Sequence, residues 1–228
     1  MIISNQLTWA IVLGLYVLAV LFLTLIPFKV MVARGMEPLR AVYFIRKIVH
    51  MLAGGVGSLM VPLVFSDPWY PLVAALLLTV FTFFTHQFEL RLYWFQTEEN
   101  RNDVKFALMW AFSVSILWWI FGDPWLAILP SLYMAFGDGV TGIARNLYIR
   151  RRSKSPIGNL FMLLICVPIG WVIGGHANPP IPEWGILSAV VATIVERYEF
   201  NIIDDNVLIT LSASVVLILG IMVGPVMH

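Results

Sequence analysis

Apolar runs of membrane-crossing length repeat along this chain, and its 14 Lys and Arg residues fall only in alternate gaps between them. The cationic segments are 29–47 (Lys29, Arg34, Arg40, Arg46, Lys47), 87–105 (Arg91, Arg101, Lys105), 144–157 (Arg145, Arg150, Arg151, Arg152, Lys154) and 197–205 (Arg197). A helix needs roughly 20 apolar residues to cross a bilayer. That length picks out spans at about 8–28, 48–65, 70–86, 104–121, 125–143, 158–175, 184–196 and 206–224. The expected fold is an all-α polytopic membrane bundle of about eight helices, seven to nine because the seventh run is short and the fifth contains polar residues. A composition that is 60% hydrophobic and 12% charged excludes a soluble domain. One membrane-embedded domain is expected over 1–228, with 1–40 giving the first helix and its loop and 41–225 the core.

By the positive-inside rule the cationic side faces the cytoplasm, which places the N-terminus outside. The opening segment, MIISNQLTWAIVLGLYVLAVLFLTLIPF, lacks a basic start and a small-residue cleavage pattern, so it reads as a retained helix. The opposite gaps are SDPW (66–69), GDPW (122–125) and HANPPIPEW (176–184), each with Pro and a closing Trp, as interfacial turns have. Asp67, Asp123 and Glu183 in them read as turn and cap residues. The single Cys166 lies in an apolar run and reads as packing, and no Cys/His cluster has zinc spacing. Gly170/Gly174 and Gly220/Gly224 have the spacing of helix contacts. The segment 86–105, mixed in charge, reads mainly as a solvated connector.

The groups with chemical potential all lie on the cationic side. Asp138 falls within SLYMAFGDGVTGIARNLYI (131–149), where an ionisable residue costs roughly 3 kcal/mol to insert and is functional by default. Gly137, Gly139 and Gly142 are expected to let the helix open and bring backbone N–H groups near a ligand. GDGVTG also fits G-x-G-x-x-G, but no strand precedes it and a dinucleotide fold is rejected. Asp138 suits Mg2+, a hard cation that takes carboxylate and phosphate oxygens. Downstream, Arg150, Arg151 and Arg152 read as a topological anchor. Lys154 and Ser155, followed by Gly158 and Asn159, form a basic loop able to cradle phosphate, although no Walker A motif is present.

Arg46, Lys47 and His50 begin the second predicted span on one helix side, ahead of Gly54, Gly55 and Gly57, and suit phosphate binding or topology. In ATIVERYEFNIIDDNVLI (192–209), Glu196, Asp204, Asp205 and Asn206 form the densest acidic group. Such a group needs a metal or basic loops for compensation, and Asp204 and Asp205 are also placed to cap the last helix.

RKIVHMLAGG (46–55), FGDGVTG (136–142), KSPIGN (154–159) and ATIVERYEFNIIDDN (192–206), in this order, resemble the CTP-dependent polyprenol kinase family, which includes dolichol and phytol kinases. The resemblance covers about 40–220 and extends in motif logic to the phosphatidate cytidylyltransferases. It implies transfer of the γ-phosphoryl group of CTP to an isoprenoid alcohol at the cytoplasmic face, with Mg2+ on Asp138 helped by Asp204 or Asp205. Arg46, Lys47, Gly137, Gly139, Lys154, Ser155, Gly158 and Asn159 would hold nucleotide and phosphate. Glu196, Asp205 and His50, beside Asp138, are the catalytic candidates for the base. Asn159 stands where the family's loop has Ser or Thr, and Ala144-Arg145 where a Gly-Arg pair is common. A cytidylyltransferase making a CDP-lipid is the second reading, and a transporter or lipid-binding protein the third. The expected partners are membrane lipids, CTP and the alcohol, not nucleic acid; a homo-oligomer stays open.

Overall fold

The computed structural model describes residues 2–88, 91–98, 101–149, 155–198 and 203–225. Every regular element among them is helical: α1 (Ile2–Leu23), α2 (Leu25–Ala33), α3 (Pro38–Val49), α4 (Val56–Val64), α5 (Trp69–Gln87), α6 (Asn102–Phe121), α7 (Pro124–Leu132), α8 (Asp138–Ile149), α9 (Pro156–Gly174), α10 (Pro182–Val195) and α11 (Asp205–Val223). Wider π turns, His50–Gly55 and Tyr133–Gly137, join α3 to α4 and α7 to α8, so each pair is one bent rod. Seven rods are long and apolar enough to cross a membrane, and α10 is a shorter apolar helix beside them. This is an integral membrane protein. The expected eight helices are present, the seventh short.

Local chemistry sets the breaks. Pro38, Pro124, Pro156 and Pro182 each stand in the first turn of a helix, where a missing N–H costs nothing. Pro27 removes the donor that would reach back to Leu23, which breaks the first rod at Thr24. Gly122 ends α6 in the left-handed region (φ 68°), and Asp123 at once caps α7 by accepting from the N–H of Trp125 at 2.7 Å and of Leu126 at 3.1 Å. Asp67 accepts likewise from Trp69 N–H at 3.0 Å. These short turns fold neighbouring rods antiparallel.

The α7–α8 rod is the hub: Leu126, Ile128, Leu129 and Leu132 are fully enclosed by α4, α6, α9 and α11. On α9 and α10, Gly170 and Gly185 meet so closely that a Cβ on either would strike the other's carbonyl. The first rod lies at the edge, with Leu15, Leu23 and Ile26 turned outward. Backbone needs are met inside each helix, as an apolar surround requires.

The 91–98 segment is not a solvated connector. Trp94 and Phe95 are buried, and the Trp94 indole donates to the Leu21 carbonyl at 2.8 Å. Gln96 donates to Thr85 Oγ1 at 2.9 Å and Asp103 Oδ2 at 2.6 Å, while His86 Nε2 lies 3.0 Å from Asp103 Oδ1. The loop therefore folds back against α1 and α5.

Candidate active site

The second rod starts at Pro38, about ten residues before the expected span, so Arg46, Lys47 and His50 lie inside it and are buried. Lys47 reaches across to α8 and places Nζ 2.6 Å from Asp138 Oδ2. Gly139 and Gly142 allow this approach: a Cβ on Gly142 would collide with the Lys47 side chain, and one on Gly139 with Met51. Gly137 packs as closely on Cys166 and Met162. The helix does not open at these glycines. It widens into the Tyr133–Gly137 π turn and continues, and the missing side chains admit α3 and α9.

His50 starts the other π turn. Its ring stacks on Phe106, with centroids 3.8 Å apart and planes 14° apart. Its Nδ1 lies 3.7 Å from Asp138 Oδ2, beyond hydrogen-bonding reach, and is buried without a hydrogen-bond partner among the described residues. Arg46 leaves the same helix on another side and lines an apolar groove with Asp103. Arg46 and Lys47 therefore flank His50 instead of forming one basic patch.

A second buried pair lies farther along α8. Arg145, two turns beyond Asp138 on α8, forks onto Glu196: NH1 to Oε1 at 2.7 Å and NH2 to Oε2 at 2.8 Å. Both groups are buried. The guanidinium also donates to the Ser155 carbonyl at 3.0 Å and to Asn159 Oδ1 at 3.1 Å, and the Asn159 amide donates to the Thr193 carbonyl at 2.6 Å. Asn159 is thus part of a cross-brace between α8, α9 and α10. Gly158 has no room for a side chain beside Arg145 and Thr141, and the Ser155 hydroxyl accepts from Ile157 N–H as a helix cap. Lys154 lies outside the described residues.

Carboxylate oxygens of Asp138, Glu196 and Asp205 lie within 4.8 Å of one another. Ionised carboxylates at that spacing repel by roughly 3 kcal/mol per pair at an effective dielectric of about 20. Lys47, paired with Asp138, and Arg145, paired with Glu196, offset this repulsion. The donors are all oxygen, the class that suits Mg2+. Asn206 adds a buried Oδ1 without a hydrogen-bond partner among the described residues, next in sequence to Asp205. Asp204 does not join the group. It caps α11 by accepting from Val207 N–H at 3.2 Å, lies 3.5 Å from Lys105 Nζ, and has its carboxyl pushed above the ordinary value by burial. Glu196 takes the place expected for Asp204.

Sequence reasoning named Arg145 only among the cations and in the Ala144-Arg145 pair and gave it no role, and it missed the Asp103–Gln96–His86 network. The signal for the second was the YWF run (93–95), too apolar for a solvated loop. Compared with known proteins, the chain matches no family model, no curated protein and no solved structure.

Proposed function

We propose that this protein is a CTP-dependent lipid-alcohol kinase that phosphorylates an isoprenoid-type alcohol at the membrane surface. The observation that carries the reading is the meeting of Asp138 from one motif with Glu196 and Asp205 from another, within 4.8 Å and paired with Lys47 and Arg145. Phosphoryl transfer asks a protein mainly for positioning and charge neutralisation, and this group offers both. Asp138 and Asp205 would hold the Mg2+ of the nucleotide, which neutralises triphosphate charge when bound. Lys47 would balance charge on the transferred group, and Arg145 with Asn159 would fix Glu196. The lipid hydroxyl attacks the γ-phosphorus, the bond to the β-phosphate oxygen breaks, CDP leaves, and the hydroxyl proton passes to a base. His50 is favoured over Glu196 as that base, because Glu196 is held in the Arg145 fork and the His50 ring lies beside Asp138 with Nδ1 unengaged.

The motif resemblance supports CTP as donor. The cationic segments support a cytoplasmic site. A cysteine at Ser66 should then react with an impermeant reagent outside intact cells and one at Arg151 should not; labelling at 151 reverses the orientation. Clustering of the polar groups toward one end, without a path across, weighs against a transporter. Reconstituted protein given CTP labelled at the α or γ phosphorus tests the chemistry. A lipid phosphate carrying γ label, with CDP released, is expected. Lipid carrying α label, with pyrophosphate released, would assign the protein to the cytidylyltransferases.

A further inference from the structure

A groove of about 720 Å3 runs between α1, α4, α5 and α6, outside the carboxylate cluster. That volume is within the roughly 300–1,000 Å3 of small-molecule sites. Its rim is formed by outward-facing apolar residues, Leu7 and Ile11 on α1 and Val73 and Leu77 on α5, so it opens sideways toward lipid. The lining changes character along its length. Near the 66–69 turn it is Phe65, Trp69 and Tyr70; at the other end stand Arg46, His50 and Asp103. The α5 wall from Trp69 to Thr82 is about 20 Å long at 1.5 Å per residue. An apolar wall of that length, ending at Arg46 and His50, matches an amphiphile with a long hydrocarbon tail and a small polar head.

Two glycines keep the channel clear. Gly14 on α1 and Gly57 on α4 both line the groove, and a Cβ on either would meet nothing within 4 Å. Gly54, Gly139, Gly142 and Gly170, also inside helical rods, admit side chains or backbone of a neighbouring helix; these two face open space. At the polar end the His50 ring borders the groove and also lies beside Asp138. One imidazole therefore borders both the apolar channel and the Lys47–Asp138 pair.

We infer that this groove is the acceptor subsite, taking a lipid alcohol with its tail between Gly14 and Gly57 and its hydroxyl at His50. The inference rests on the kinase reading for the head group and adds the route and selectivity of the tail. A chain gains little free energy on moving from bilayer to a groove equally apolar. The groove instead acts by orientation, holding the hydroxyl where attack is productive. Filling it should therefore penalise long acceptors and spare short ones that need no guide.

The test uses full-length protein in vesicles. A diazirine-bearing twenty-carbon prenol should photolabel groove residues of α1 and α5, and Gly57→Phe should abolish that labelling while the thermal midpoint holds. In turnover assays Gly57→Phe should lower kcat/KM for the twenty-carbon prenol by about ten-fold or more and that for a five-carbon prenol by less than about two-fold. Photolabelling does not depend on turnover, so a labelled groove in a protein that transfers no phosphate would sink the kinase reading and keep the subsite. Labelling elsewhere, or labelling unchanged in Gly57→Phe, would overturn the subsite.

Discussion

Asp138 and Asp103 are both buried carboxylates, and they are held in different ways. Asp103 takes hydrogen bonds from Gln96 and His86, seven and seventeen residues away in the chain, and among the described residues no cluster of acids includes it. Asp138 takes an ammonium from 91 residues away and stands within 4.8 Å of two more acids. Folding explains the first arrangement: a loop is pinned and every partner is a donor. It does not explain the second, because apolar residues of similar volume would fill that space without the repulsion. Burial of a charge is thus weak evidence of function, and crowding of like charges at the meeting point of several helices is stronger evidence.

Substitutions at and around the two sites sharpen or break this contrast. The largest stability effect should come from Glu196→Gln, which leaves the Arg145 guanidinium buried against a neutral amide. Removing one partner of a buried pair costs about 3–5 kcal/mol, so detergent-solubilised protein should unfold at markedly lower temperature or denaturant. A near wild-type midpoint would mean that the fork is not a structural brace. Next, His50→Gln should reduce kcat by about 100-fold or more with little change in CTP binding, because a positioned base contributes roughly 10²–10⁴. Unaltered turnover would move the base to Asp205. Asp103→Asn should be milder. The amide cannot accept from both Gln96 and His86, and losing one charge-assisted bond costs about 1.5–3 kcal/mol. Stability should drop while the turnover of folded protein stays within about two-fold, since Asp103 borders the end of the groove but is engaged by Gln96 and His86 and neither holds phosphate nor takes a proton. A selective loss of turnover there would erase the distinction between the carboxylates.

The fold was legible because the apolar surround makes span length and turn chemistry nearly sufficient. The SDPW and GDPW turns, with Asp67 and Asp123 as caps, lie where the sequence places them. Asp138 was legible for a related reason, as an acid within an apolar run. The partners were less legible, since contact across 51 residues, as for Arg145 and Glu196, leaves no local pattern. Arg46 and Lys47 show a second limit. Helical spacing puts both beside His50, but it cannot tell that Lys47 turns to Asp138 while Arg46 turns to the groove. Glycines carried a third ambiguity: Gly139 admits a helix and Gly57 keeps a channel open, although each reads as a glycine in a membrane helix.

The central claim is that the carboxylate cluster exists for phosphoryl transfer, and Asp138→Asn tests it most directly. The change removes a charge with almost no change of shape. In reconstituted protein of wild-type thermal stability or better, γ-labelled CTP should give no labelled lipid at any Mg2+ concentration. Wild-type transfer with unaltered Mg2+ dependence in that variant would contradict the account.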